Sequence, residues 1–109
     1  MTRVAEATLM VPDIYTKKIL LYLIAGTRGG INRAKILRSL NKEPKNANRL
    51  AQELQLDYKT VQHHVDVLVE NKLIEPSKQD AYGALYFLTP LMEDGYQMFE
   101  EIWAKIGSR

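Results

Sequence analysis

Apolar positions along this chain repeat at helical spacing in five segments and at strand spacing in two. Met1 to Met10 shows no clear period and reads as an arm. The stretch from Asp13 to Ala25, DIYTKKILLYLIA, is helical in character, with Pro12 suited to a first turn. Its second half is apolar on every side, which asks for burial at the centre of a core or under a partner. Gly26-Thr27-Arg28-Gly29-Gly30 breaks the chain. Asn32 then reads as the cap of a second helix, with Ile31 and Ile36 placed as a hydrophobic staple. Its stripe is Ile36, Leu37 and Leu40, with Arg33, Lys35 and Arg38 off it. Asn41 to Lys45 ends it.

The third helix is short, from a cap at Asn48 to Leu54, with Leu50, Ala51 and Leu54 inward. Gln55-Leu56 makes the turn. Asp57 caps a fourth helix to about Asn71, whose Val61, Val65 and Leu68 form one face. The period then changes: Leu73–Pro76 and Ala84–Leu88 read as strands of a hairpin, with turn formers from Ser77 to Gly83. Thr89-Pro90 starts a last helix to about Ile106. Met92, Tyr96, Phe99, Trp103 and Ile106 form one seam there. Leu91, Met98 and Ile102 form a second beside it, and two seams ask for a second helix from elsewhere.

Two helices joined by a tight turn and followed by a hairpin give the order of a winged helix-turn-helix. The fold expected is mainly α with a small β-hairpin, flanked by N- and C-terminal dimerisation helices. All 109 residues form one domain. Residues 1–30 make the arm and first dimerisation helix, 31–89 the DNA-binding core, and 90–109 the C-terminal dimerisation helix.

Composition narrows the chemistry. There is no cysteine, so disulfides, thiolate metal sites and cysteine nucleophiles are excluded. The two histidines, His63 and His64, are neighbours and point about 100° apart on a helix, so they do not chelate one ion. No metal and no cofactor are expected. The glycine-rich break lacks the Walker spacing, a preceding strand and a following Gly-Lys-Ser/Thr, and reads as a hinge. The longest apolar run, Ile19 to Ala25, has seven residues, against about 20 for a membrane span. Neither a span nor a leader is expected, and the location expected is cytoplasmic.

The net charge of +2 is unevenly spread. Residues 28–78 hold ten Lys or Arg against six Asp or Glu, while residues 79–109 hold two against five. A basic middle suits a polyanion, and an acidic last helix suits a surface turned away from it.

The segment from Arg49 to Pro76, RLAQELQLDYKTVQHHVDVLVENKLIEP, resembles the ArsR-type repressors, especially their small archaeal relatives. Its most specific part is Leu56 to Val65, followed by Leu68 and Leu73-Ile74. The similarity spans roughly residues 31–105. The resemblance implies double-stranded DNA as partner, with the fourth helix as reader. Lys59, Gln62, His63 and Asp66 project from it, and Tyr58, Lys59 and Thr60 fill its first turn. Gln suits adenine, Lys guanine or phosphate, and the hydroxyls phosphate oxygens. The candidate DNA contacts are Tyr58, Lys59, Thr60, Gln62, His63, Arg49 and Lys45, with Lys78 and Tyr82 on a short wing. His64, a common residue at this place in the family, reads as a packed, hydrogen-bonded residue rather than a DNA contact. Asp66 and Glu70 repel phosphates, which limits the approach to the first two turns.

Two departures stand out. Gln55 and Lys72 replace glycines common in the family, at a cost of about 1 kcal/mol wherever the backbone is left-handed. The cysteines and histidines of the metal-responsive members are missing. The expected function is a homodimeric, sequence-selective transcription regulator, a repressor without metal sensing. The dimer is expected through Ile19, Leu20, Leu23, Ile24, Tyr96, Phe99, Ile102, Trp103 and Ile106. The alternative is a winged-helix module that docks a larger assembly, against which Arg33, Lys35, Arg38, Lys45 and Arg49 argue. No carboxylate pair or nucleophile–base set points to an enzyme. Tyr15, Tyr22, Tyr96, Phe99 and Trp103 read as core, with an effector cavity between subunits as the second reading. The effector itself is not legible.

Overall fold

A computed structural model describes residues 14–77 and 83–107. The arm, Pro12, Asp13, Lys78 and Tyr82 lie outside the described residues. Helix α1 spans Ile14–Leu20 and continues as a wider, π-type turn over Leu21–Ala25. Gly26 N–H donates to the carbonyls of Leu21 at 2.9 Å and Tyr22 at 3.2 Å, the longer loop that defines such a turn. Helix α2 is Gly30–Lys42, α3 Ala47–Leu54 and α4 Tyr58–Glu70. Strands β1 (Ile74–Pro76) and β2 (Tyr86–Leu88) pair antiparallel, with Ile74 opposite Leu88. Helix α5 is Pro90–Asp94, and α6 is Tyr96–Gly107. Among the described residues, no helix is long and apolar enough to cross a membrane.

The core gathers one face from each helix. Leu20, Ile36, Leu37, Leu50, Val61, Val65, Leu68, Met92 and Phe99 are fully enclosed. The expected stripes of α2 and α4 are therefore the buried ones. Thr89 caps α5 by accepting from Met92 N–H at 3.2 Å. Its hydroxyl also donates to the Lys72 carbonyl at 2.7 Å, which ties the end of α4 to the start of α5.

Several boundaries differ from expectation. Helix α2 starts three residues early, with Gly29 (φ 87°) in the cap position. Asn32 is inside the helix, and Ile31 is 55% exposed, so no staple forms. Gly29 and Gly30 explain the early start. A Cβ on Gly30 would lie 1.9 Å from the Ile24 carbonyl oxygen, and one on Gly29 would lie 2.7 Å from His64 Cε1. The hinge is a close crossing that only glycine permits. Asn46, not Asn48, caps α3, accepting from Arg49 N–H at 2.8 Å. The last helix breaks at Gly95, although the Gly95 N–H still closes the Leu91 carbonyl at 3.0 Å. Gln55 and Lys72 are both left-handed, at φ 57° and 64°.

Lys45 lies beside β2 as a third, single-residue strand. Tyr86 N–H donates to its carbonyl at 2.8 Å, and its own N–H to Tyr86 at 3.3 Å. This leaves β1 as an edge, where Pro76 costs no ladder bond.

Candidate nucleic-acid interface

Asp57 opens α4. Its carboxylate accepts from Lys59 N–H at 3.0 Å and Thr60 N–H at 3.3 Å, so two of the orphan donors of the first turn are closed. The apolar spacing then turns Val61, His64, Val65 and Leu68 inward. What remains outside is the predicted set. Tyr58 is 40% exposed, Lys59 and His63 are exposed, and Thr60 and Gln62 are half-buried. Gln62 Nε2 donates to Asp66 Oδ1 one turn later, at 2.9 Å. The five predicted reading residues thus share the first two turns of one helix. Arg49 is also exposed, on the first turn of α3, and pairs with the exposed Glu43 at 2.6 Å. An ion pair of this kind is worth about 0–1 kcal/mol and exchanges readily for a phosphate.

Lys45 is a correction. Its side chain is 3% exposed, and its Nζ donates to the Ser39 carbonyl at 3.0 Å and the Ser39 hydroxyl at 2.6 Å. It also pairs with Glu53 at 3.0 Å. The Ser39 hydroxyl in turn donates to Glu53 at 2.8 Å. Lys45, and then Ser39, hold the Glu53 carboxyl below its usual range. This cation joins α2, α3 and the wing and has no surface for DNA.

Arg33 is the second correction, since it is buried rather than off the stripe. Its Nε donates to the Leu23 carbonyl at 2.9 Å, and Nη2 donates to Thr27 Oγ1 and, at 3.3 Å, to the Arg28 carbonyl. The guanidinium therefore closes the C-terminal end of α1, where positive charge is favoured. Nη1 lies 3.1 Å from His64 Nδ1. Arginine only donates, so Nδ1 must accept, and the proton of the neutral ring sits on Nε2. Burial first, then Arg33 and His63, push the His64 ring below the ordinary histidine range. The contact matches the expectation of a packed, hydrogen-bonded histidine. A signal for Arg33 existed: with Leu37 and Leu40 it follows i, i+4, i+7 spacing, which is one helix face.

Arg38 lies over the Trp103 ring at 5.7 Å yet stays exposed, so of the five cations that spoke against a protein-docking module, Lys35, Arg38 and Arg49 remain outward.

The expected dimer surface is also redrawn. Leu20, Leu23, Ile24 and Phe99 are enclosed by the chain's own core, and so have no surface to offer a partner, while the largely buried Ile102 reaches the groove between the terminal helices. Ile19, Tyr96, Trp103 and Ile106 are half-buried against it. The exposed apolar side chains of the first helix are instead Ile14, Tyr15, Leu21 and Tyr22. Helices α1 and α6 flank an open groove of about 600 Å³, lined by Leu21, Ala25, Met98, Ile106 and others. None of the five aromatic residues considered for an effector cavity lines it.

Two helices set by a left-handed turn at Gln55, the second capped and polar on its outer face, followed by a two-stranded wing, define a winged helix-turn-helix protein. In DNA-binding members of that class the second helix of the pair enters the major groove. Within it, residues 32–75 match the family model described as bacterial regulatory protein, arsR family. No curated protein matches in sequence. Among solved structures, the transcriptional repressor BigR from Xylella fastidiosa superposes with a TM-score of 0.61 at 16% identity, over 84% of this chain and 83% of that one. Reduced HlyU from Vibrio cholerae gives 0.57 at 17% identity, over 95% and 96%. ZitR from Lactococcus lactis, solved in complex with DNA, gives 0.52 at 18% identity, over 79% of this chain and 63% of that one. At these identities the likeness is one of fold.

Proposed function

We propose that this chain is a sequence-selective transcription regulator that binds double-stranded DNA as a homodimer and represses by occupying a promoter in the cytoplasm. The observation that carries this reading is the outer face of α4, where Tyr58, Lys59, Thr60, Gln62 and His63 lie together beyond an Asp57 cap. A helix presented this way enters a major groove with its N-terminal half against base edges. Arg49 supplies a phosphate contact from α3. Exposed Ile14, Tyr15, Leu21 and Tyr22 on α1 support a second copy as the partner, with half-sites about 34 Å apart. The absence of cysteine and the adjacency of the only two histidines support a regulator without metal sensing. Lys78 and Tyr82 stay candidates for the wing's contact.

The test is fluorescence anisotropy with a duplex library across a salt series, beside sedimentation of the free protein. Binding should weaken linearly in log–log form, and Lys59→Ala should reduce the slope by about 0.9. Absence of any salt-dependent duplex binding would refute the reading. A free protein that sediments as a monomer and binds no duplex would favour a protein-docking module instead.

A further inference from the structure

The Gln62–Asp66 bond changes what Gln62 is able to read. We propose that Asp66 is a positioning residue that makes Gln62 selective for adenine over guanine in the operator, an inference that rests on α4 being the DNA-reading helix.

The argument starts from the donor count. A glutamine amide carries two N–H donors and one carbonyl acceptor. Left free, it satisfies adenine with one of each, at N7 and N6. It satisfies guanine by turning both hydrogens toward O6 and N7, which are both acceptors. In this structure one of those hydrogens is taken, because Nε2 lies 2.9 Å from Asp66 Oδ1. An ionised carboxylate only accepts, so the amide cannot flip its oxygen toward Asp66. One acceptor and one donor remain for a base edge. That pair fits adenine and leaves guanine with an unpaired acceptor against a desolvated surface, the arrangement that discriminates most strongly. Spacing supports the geometry: residues four apart on a helix are neighbours, and the glutamine–aspartate pair is one that helix surfaces favour.

The carboxylate has an opposite effect on affinity. Asp66 is exposed one turn beyond Gln62 on α4, and on a DNA-reading helix its charge would oppose nearby phosphates. Specificity and affinity should therefore move in opposite directions when it is removed, which a merely structural role would not produce.

The experiment is binding-site selection from a randomised duplex, followed by anisotropy on the selected site and on the same site with one adenine replaced by guanine. The wild type should prefer adenine by about tenfold or more at one position in each half-site. Asp66→Ala should lower that ratio below about threefold while binding either duplex at least as tightly as before. Asp66→Asn, which keeps an acceptor but adds a donor, should fall between. Gln62→Ala should erase the preference at that position alone. An adenine preference unchanged in Asp66→Ala, or absent from the wild type, overturns the inference while leaving the DNA-binding reading intact. No duplex binding by the wild type overturns both. Circular dichroism of each variant confirms the fold, and the exposed position of Asp66 makes a folded variant the expected result.

Discussion

Replacing Lys45 with methionine separates two roles that a cation in this chain could have. Its ammonium has three partners within 3.0 Å, the carbonyl and hydroxyl of Ser39 and the carboxylate of Glu53. Methionine keeps most of the aliphatic stem, so packing changes little. What is lost is the charge and its bonds. Breaking a fully buried pair by removing one member costs about 3–5 kcal/mol. Glu53 is 37% exposed, so water recovers part of its solvation, and the expected loss is about 2 kcal/mol. For a domain of this size that lowers Tm by roughly 8–12 °C. Thermal unfolding followed by circular dichroism reads it. The salt dependence of duplex binding, measured on the same variant at a temperature where it is folded, should keep the wild-type slope. A phosphate contact would do the reverse, leaving Tm in place and reducing the slope by about 0.9. That second pattern would refute the buried-anchor assignment.

Two further expectations concern acid and the backbone. His64 sits below its ordinary value of 6.5 because the ring is buried beside Arg33, so in the window just below that value the unfolded chain binds more protons. Stability is full above about pH 6.5 and falls as the pH drops through it toward the folded-state value; His64→Asn should flatten Tm against pH in that window, and an unaltered profile would exclude His64 as its source. Glu53 acts lower, since its carboxyl is held under 4.5: its contribution is present above that pH and lost as the pH falls through the folded value, and Lys45→Met should remove much of this second step. Gly30→Ala places a Cβ against the Ile24 carbonyl and should cost about 3 kcal/mol in denaturant unfolding. Gln55→Gly relieves a left-handed residue and should gain about 0.5 kcal/mol once the looser unfolded chain is counted. Equal stability of Gly30→Ala and the wild type would contradict the close crossing.

Periodicity alone located five helical segments and both strands, because each buried face repeats within its own element, but it did not show the break at Gly95 that divides the last segment into α5 and α6. Val61, Val65 and Leu68 name the inside of α4 without reference to any neighbour, and once they are inside, Lys59, Gln62 and His63 must be outside. The cap at Asp57 and the Thr89-Pro90 start were legible for the same reason: a capping oxygen reaches only the next turn. The left-handed turn at Gln55 was foreseeable as a place where the family has glycine.

Tertiary structure decided what the polar residues do. Lys45 follows a proline in a connecting segment, and nothing local distinguishes it from a surface lysine. Its partners are six and eight residues away and on other elements, and it joins them because the wing strand runs alongside it. Arg33 and His64 are 31 residues apart, and only the Gly29-Gly30 crossing brings them together. The apolar excess of the terminal helices was visible in sequence, but its division between core and surface was not. Leu20, Leu23 and Phe99 went inside, and Tyr15 and Tyr22 stayed out. A chain states which side chains avoid water through local spacing. Which ones find each other depends on where the elements cross, and that is a property of the packed whole.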